Sequence, residues 1–173
     1  MSRVRSVGPS MRSLTLVLQF FCNKGMLIEH HTLWASFPAD LRQHLNVVVV
    51  DDCSPEASRL RAEDYPRIDL GSLQLFRCLE KRRWNWLFAR NLGVSVAPTD
   101  WVLLTDMDHA LPERTLDKLL TIPLDVDTVY RLGRVDAPHP WPYALADCHE
   151  RTKNGKNHMH PNTWLMTRAM YDR

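Results

Sequence analysis

A run of four valines at positions 47–50 constrains the fold more than any other feature of the sequence. Four consecutive β-branched residues resist a helix and favour a strand. Two more apolar runs, at residues 14–20 and 101–105, have the continuous character of strands buried on both faces. Segments with helical spacing of apolar residues separate these runs. This alternation predicts an α/β fold with a mostly parallel central sheet covered by helices.

The other predicted elements continue this alternation. The remaining strands are predicted at residues 73–78, 126–132 and 163–166. Helices are predicted at residues 26–37, 86–97 and 111–120, and another is predicted to begin at Thr167. A short helix is also predicted with Ser54 as its N-cap and Pro55 at its first position. Residues 133–157 are polar, rich in Pro, Trp and His, and predict a functional or disordered loop. We expect a mobile tail at residues 1–12 and a single domain over residues 13–173.

Composition excludes several classes of protein. The chain has 173 residues and a net charge of +2, which argues against binding to nucleic acid or membranes through bulk charge. No apolar run approaches the ~18 residues of a membrane span, so no transmembrane segment is expected. The four cysteines are widely spaced and form no Cys-x-x-Cys pair. They predict reduced thiols in a cytoplasmic protein rather than a disulfide framework or a zinc site.

Two acidic pairs directly follow predicted strands. Asp106 and Asp108 flank Met107 after the strand at 101–105, and Asp51 and Asp52 follow the valines. The carboxyl ends of parallel strands open onto one edge of a sheet, so both pairs should face one cleft. Carboxylates together with substrate phosphates are the usual ligands of Mg²⁺. The pattern therefore predicts a metal-dependent site for a phosphate-bearing substrate, although Asp51 or Asp52 could instead cap a helix.

The helix at 86–97 contributes further candidates. Arg90 could pair with a phosphate, for which its planar guanidinium is suited, or it could be an ordinary exposed arginine. Asn91 and Gly93 are poor helix formers, so their position inside a helix calls for a packing or hydrogen-bonding reason.

Histidines could complete the metal site, because imidazole binds divalent transition metals. The candidates are His109, His149, His158 and His160. His160 is the best of them, with simple exposure as the alternative for each.

Together these segments resemble a known family. Residues 47–54 (VVVVDDCS), 89–93 (ARNLG) and 101–108 (WVLLTDMD), with Pro112 beyond them, resemble the nucleotide-sugar half of family 2 glycosyltransferases. The resemblance implies a GT-A fold, which is a Rossmann-like three-layer arrangement. It also implies a hexosyltransferase-like enzyme with a nucleotide diphosphate sugar as donor, a saccharide or other hydroxyl as acceptor, Mn²⁺ or Mg²⁺ as cofactor, and inversion at the sugar.

The resemblance also implies roles for individual residues. Asp52 would read the nucleotide base with Asp51 in support, Arg90 would lie near the nucleotide or diphosphate, and Asn91 would brace the sheet edge. For the metal, Asp106 would lie near the ribose and the ion, Asp108 would be the principal ligand, and His160 would approach the ion or the diphosphate.

Two departures from the family pattern matter. The usual Pro-x-Tyr-Asn after the first strand is Phe20-Phe21-Cys22-Asn23 here, so only the Asn matches. Family members also continue into a Gly-Gly-x-Asp-Glu-like turn that supplies the catalytic base, whereas this sequence stops at Arg173. We therefore expect a domain that is incomplete at its C-terminal end, with its catalytic base unknown.

Two consequences follow from that expectation. The apolar residues Trp164, Leu165, Met166 and Met170 should form an exposed patch. A catalytically inactive nucleotide-sugar-binding module is the first alternative function. A nucleotidyltransferase-like enzyme is the weaker one, because it normally needs a glycine-rich loop after the first strand and Gly25 is alone there.

Overall fold

A computed structural model describes residues 11–64, 67–82, 85–133, 135–136, 149–150, 152–153, 156–157 and 159–173, with the segments between 135 and 160 described by their backbone alone. The strands in chain order are β1 (Leu14–Phe20), β2 (Leu45–Asp51), β3 (Ser72–Arg77), β4 (Trp101–Thr105), β5 (Tyr130–Gly133), β6 (Val135–Asp136), β7 (His149–Glu150), β8 (Thr152–Lys153), β9 (Lys156–Asn157) and β10 (Met159–Thr167). The helices are α1 (Lys24–Ala35), α2 (Ala39–His44), α3 (Trp86–Ser95), α4 (Glu113–Thr121) and α5 (Arg168–Tyr171), with one 3₁₀ turn at Ala62–Asp64.

The central sheet has six strands in the order β3-β2-β1-β4-β10-β5. The first four strands in this order run parallel to one another, and β10 runs antiparallel to both of its neighbours. Two short antiparallel pairs, β6 with β7 and β8 with β9, lie outside this sheet. The predicted α/β fold with a mostly parallel sheet is confirmed.

Helices cover both faces of the sheet, which gives three layers. One face packs against α1, α2 and α4 through a core that includes Leu16, Leu18, Leu27, Trp34 and Leu116. The other face packs against α3 through Val17, Val94 and Leu104 and through Val48, Val50 and Ala89. Because both faces are covered, β2 is buried along its whole length, which explains its continuous run of valines.

Gly93 sets how closely α3 approaches the sheet. A Cβ atom at this position would lie 2.4 Å from Val17 Cγ1 and 3.4 Å from Val50 Cγ2. Only glycine leaves room for this approach, so the helix-breaking residue noted in the sequence has a packing reason.

The structure corrects several sequence-based predictions. No helix begins at Ser54; residues 56–58 form a turn, because Ser54 bonds to distant partners, with its hydroxyl accepting from the amide of Cys22. The strand predicted at 126–132 begins only at Tyr130. The six-residue helix α2 was not predicted.

The C-terminal apolar residues are also covered better than predicted. Leu165 and Met166 lie in the core, and Trp164 and Met170 are half-buried against it, so these four residues do not form an exposed patch. At the other end, Arg12 is anchored: its amide donates to the carbonyl of Leu120, and its guanidinium bonds to Ile122 and lies over the Trp101 ring. The predicted tail at residues 1–10 and most of the predicted loop at 133–157 lie outside the described residues.

Within the described ranges, no helix has the length and apolar character needed to cross a membrane. That residues 13–173 form one incomplete domain stays a prediction.

Candidate functional site

The two acidic pairs lie at the same edge of the sheet. Asp51 ends β2, and Asp106 directly follows β4, with β1 between these two parallel strands. Because β10 is antiparallel to β4 and Trp164 pairs with Leu104, the beginning of β10 brings Asn162 to the same edge. The topology therefore gathers the ends of four strands around one site, as the sequence predicted for the parallel strands.

Three of the described side chains donate to Asp106. Its Oδ1 accepts hydrogen bonds from Arg90 Nη2 at 2.7 Å and from Gln19 Nε2 at 3.0 Å. Its Oδ2 accepts from Asn162 Nδ2 at 2.9 Å. The Asp106 side chain is 19% exposed, against 2% for that of Arg90. The carboxylate is thus fixed in orientation, and a buried positive charge compensates it.

Arg90 lies behind Asp106, with its Nε donating to Gln19 Oε1 at 3.0 Å and its guanidinium 5.0 Å from the centre of the Trp86 ring. Burial lowers the pKa of Arg90, and the neighbouring Asp106 carboxylate opposes that shift. The structure therefore connects Arg90 to the site through Asp106.

Asp106, Asp108 and His109 form a group that could hold a metal ion. Each offers one ligand atom, and these atoms lie within 4.8 Å of one another. The Asp108 side chain is 58% exposed, and its Oδ1 lies 3.1 Å from His109 Nδ1. The backbone turns sharply here, with the amide of His109 donating to the carbonyl of Asp106 at 3.1 Å. Two carboxylate oxygens and one imidazole nitrogen are a donor set that suits Mn²⁺ and, through the oxygens, Mg²⁺.

The histidine of this group is His109. His109 was a candidate, and the structure brings it to the two aspartates. His160 lies in β10, but its side chain is outside the described residues, as are those of His149 and His158. A metal-binding role for His160 stays a prediction.

The two residues of the second acidic pair have different hydrogen-bond partners. Asp51 is buried, and its two oxygens accept from the amides of Ser54 at 2.8 Å and Leu60 at 3.2 Å, which organises the loop after β2. Asp52 is half-buried, and its Oδ1 accepts from Asn85 Nδ2 at 2.9 Å. Its Oδ2 accepts no hydrogen bond from any residue that the structure describes. Asp51 therefore stabilises the loop after β2, whereas one oxygen of Asp52 has no donor among the described residues.

A cavity of about 350 Å³ lies beside Asn85. Its lining includes the charged residues Arg77, Glu80 and Arg82 and the apolar residues Leu79 and Phe88. Arg77 Nη2 donates to the carbonyl of Ser54 at 2.9 Å, which ties the cavity wall to the loop after β2. Asn85 links this cavity to Asp52 and so to the sheet edge.

Asn91 lies apart from the acidic residues. It is exposed on α3, and its Oδ1 accepts from the hydroxyl of Tyr171 in α5. This contact joins α3 to the C-terminal helix, and it is a bracing contact between elements.

Sequence reasoning missed three amide side chains, Gln19, Asn85 and Asn162, which donate to the carboxylates of the site. One signal was available for Gln19, because it is a polar residue inside a buried apolar run. Nothing in the local sequence marks Asn85 or Asn162, because their partners are distant in the chain.

The chain matches one protein family in sequence. The family model described as "Glycosyl transferase family 2" matches residues 29–161. No curated protein matches the chain significantly.

Several solved structures resemble the protein. The mannosyltransferase PcManGT from Pyrobaculum calidifontis, in complex with GDP-Man and Mn²⁺, is 23% identical with a TM-score of 0.52, over 75% of this chain and 37% of that one. GalNAc-T7 with UDP, GalNAc and Mn²⁺ is 14% identical with a TM-score of 0.61, over 94% of this chain and 36% of that one. TarS 1-349 from S. aureus is 23% identical with a TM-score of 0.49, over 62% and 31%. The chain thus spans about a third of the length of these relatives. At these identities the first two likenesses show a shared fold, the GT-A fold expected from the sequence.

Proposed function

Because this chain belongs to glycosyl transferase family 2, we propose that its sheet-edge site binds a nucleoside diphosphate sugar through a divalent metal ion and transfers the sugar to an acceptor hydroxyl. The grouping of Asp106, Asp108 and His109 at the carboxyl end of β4 is the observation that supports this most directly. The complexes of PcManGT with GDP-Man and Mn²⁺ and of GalNAc-T7 with UDP and Mn²⁺ are consistent with it.

Asp108 would hold the metal ion from the exposed side of the site, and Asp106 and His109, which are largely buried, would hold it from the other side. A bound Mn²⁺ or Mg²⁺ would act as a Lewis acid that neutralises the charge on the leaving diphosphate. Arg90, Gln19 and Asn162 contribute by fixing the Asp106 carboxylate in one orientation before the substrate binds. The presence of an imidazole favours Mn²⁺ over Mg²⁺ in this proposal.

Asp52 would recognise the nucleobase. Its Oδ2 can accept a hydrogen bond from a ring N–H, while Asn85 holds the other oxygen. The neighbouring cavity has an apolar wall at Phe88 and the guanidinium donors of Arg77 and of Arg82, which pairs with Glu80. This lining suits an aromatic ring bearing carbonyl groups. The bound base would therefore lie between Asp52 and this cavity.

The acceptor would be a saccharide or another hydroxyl compound. Its hydroxyl would attack the anomeric carbon opposite the leaving diphosphate, which inverts the configuration. That attack needs a general base, worth typically ~10²–10⁴-fold, and we assign this role to no residue. We also propose a cytoplasmic location, on the sequence argument that the four cysteines are widely spaced and form no Cys-x-x-Cys pair.

The nucleotidyltransferase alternative gains no support from the structure. The turn after β1 leads into α1 through Asn23, whose side chain caps the helix by accepting from the amide of Met26. A glycine-rich phosphate loop is not found at this described turn. Only a measurement of sugar transfer can distinguish an active enzyme from an inactive nucleotide-sugar-binding module.

A transfer assay tests the proposal. The purified chain is incubated with Mn²⁺, a panel of UDP- and GDP-sugars and a panel of saccharide acceptors, and release of nucleoside diphosphate is followed. We expect release that depends on both donor and acceptor and that is lost in Asp108→Asn. Tight donor binding without release would establish the inactive binding module instead.

A further inference from the structure

The turn that carries the two metal-site aspartates rests on a histidine from another part of the chain. His30, in α1, is fully buried, and its Nε2 lies 2.8 Å from the carbonyl oxygen of Met107. Met107 is the middle residue between Asp106 and Asp108, and its own side chain lies in the core. A carbonyl oxygen only accepts hydrogen bonds, so Nε2 must carry the proton that makes this bond.

The surroundings of His30 keep it in that form. Its ring packs against Trp34, with 5.3 Å between the ring centroids. Burial lowers the pKa of His30 to about 4, so the ring is neutral at physiological pH. A neutral imidazole has one N–H, and the bond to Met107 places it on Nε2. The N–H of His30 therefore points to the Met107 carbonyl in the buried interior.

The peptide that His30 holds lies between the two aspartates. Rotation of the Met107–Asp108 peptide plane would turn the Met107 carbonyl away from its donor and move the Asp108 backbone relative to Asp106. The donors described above fix Asp106 from the side of the sheet, whereas Asp108 is largely exposed. The His30 bond is thus a second, independent constraint, and it acts on the half of the turn that carries Asp108.

We propose that His30 is a positioning residue for the metal site. It holds the Met107 peptide so that the carboxylates of Asp106 and Asp108 keep the separation at which one divalent ion can bind both. This inference rests on the proposed function, because it takes Asp106 and Asp108 to be metal ligands. The proposed action of His30 passes through its bond to the backbone carbonyl of Met107.

The test uses Mn²⁺ alone as the probe, with the full chain. His30→Gln keeps an amide N–H that can donate to the Met107 carbonyl, whereas His30→Met has similar length and no donor. His30→Phe is a second variant without a donor, and it keeps a ring against Trp34. Mn²⁺ affinity is measured by electron paramagnetic resonance of the free ion, and the fold is checked by circular dichroism and thermal unfolding.

We expect both donor-free variants to bind Mn²⁺ about 10–100-fold more weakly than the wild type, as is typical when an outer partner of a metal ligand is lost. His30→Gln should recover most of that affinity. His31→Phe is the matched control, because His31 is also buried and packs against the same Trp34 ring at 5.4 Å. This control should lose stability without a comparable loss of Mn²⁺ affinity.

Wild-type Mn²⁺ affinity in a folded His30→Met or His30→Phe protein would overturn the inference. So would an equal loss of affinity in His31→Phe, which would show that burial near Trp34 and not the bond to Met107 is responsible. Failure of the wild type itself to bind Mn²⁺ would overturn both this inference and the proposed metal site. These outcomes therefore separate failure of the positioning role from failure of the proposed function.

Discussion

The two aspartates at residues 51 and 52 are neighbours in sequence with different surroundings. Both oxygens of Asp51 are engaged by backbone amides of the following loop, whereas Asp52 keeps one oxygen that accepts from no described residue. Adjacent carboxylates can therefore differ completely in what they do. At the residue scale, the hydrogen bonds already formed by a carboxylate decide whether it can bind a ligand.

Substitutions at these two positions should separate stability from binding. Asp52→Asn replaces a potential acceptor oxygen by a donor amide, so we expect nucleotide affinity to fall by about 1–3 kcal/mol with little change in stability. Asp51→Ala leaves two amides without their acceptor and should lower the free energy of unfolding by about 1–3 kcal/mol. Calorimetry with a nucleoside diphosphate and urea unfolding measure the two effects. The reverse assignment, with binding lost only in Asp51→Ala, would contradict this division of roles.

The lowered pKa of His30 predicts that the stability of the fold depends on pH. Its pKa is lowered from 6.5 to about 4 in the folded protein, with His31, His109 and Asp108 as the titratable groups that act on it. As the pH falls below 6.5, His30 therefore binds a proton in the unfolded chain but stays neutral in the folded chain. The stability contributed by neutral His30 is fully present above that pH and should decrease by about 3 kcal/mol by pH 4.

Urea unfolding in EDTA at pH 7 and pH 4.5 measures this effect. His30→Met lacks the titrating group, so its stability should fall less than that of the wild type over the same interval. Equal losses in the two proteins would assign the acid sensitivity to other groups, of which His31 is the first candidate because burial lowers its pKa as well.

At the scale of elements, helix α3 connects the core to the site. Gly93 lets it lie against β1 and β2, and Arg90, one turn earlier, reaches Asp106 at the end of β4. A change in how closely α3 approaches the sheet would therefore move Arg90 as well. Packing and site geometry are coupled through this one helix.

Gly93→Ala tests that coupling. The new methyl group would meet Val17 at 2.4 Å, so the helix must shift, and we expect a loss of about 1–3 kcal/mol in the free energy of unfolding. Gly25→Ala is the matched control, because its nearest neighbour would be Asn23 Oδ1 at 3.8 Å in the first turn of α1. That change should be neutral or slightly stabilising. Equal thermal midpoints for the two variants would contradict the close packing of α3.

The elements also show what sequence can predict. The predicted bounds of β1 and β4 match the structure, because strands buried on both faces require uninterrupted apolar runs. The helix predicted at Ser54 failed, because its capping signals are used by partners at Asp51 and Cys22. Local sequence patterns predict elements that are stabilised by local interactions or that are fully buried. They fail where a side chain bonds across the fold.

The candidate site follows the same rule. Asp106 and Asp108 were predicted from their position after a buried strand, and His109 was a candidate by adjacency. Gln19 and Asn162 could not be predicted as partners of Asp106, because strand order and the reversal of β10 bring them there. The sequence therefore predicted the residues that could bind a ligand and missed those that hold them in place.

In the whole molecule, one sheet edge is proposed to combine a metal site with a nucleotide pocket. The reversal of β10 closes one side of that edge with Asn162, and Asn85 connects Asp52 to the cavity on the other side. The two halves should therefore bind a nucleoside diphosphate cooperatively with the metal ion. Neither half is expected to hold the ligand tightly by itself.

Calorimetric titration of the chain with UDP and with GDP, in Mn²⁺ and in EDTA, measures whether metal and nucleotide bind cooperatively. We predict that Mn²⁺ raises the affinity for at least one of the two nucleotides by tenfold or more, about 1.4 kcal/mol. Asp108→Ala should abolish that gain while the fold stays intact, because its side chain is 58% exposed and lies outside the core. Equal nucleotide affinity in Mn²⁺ and EDTA, or an undiminished Mn²⁺ effect in Asp108→Ala, would rule out a shared metal and nucleotide site at this edge.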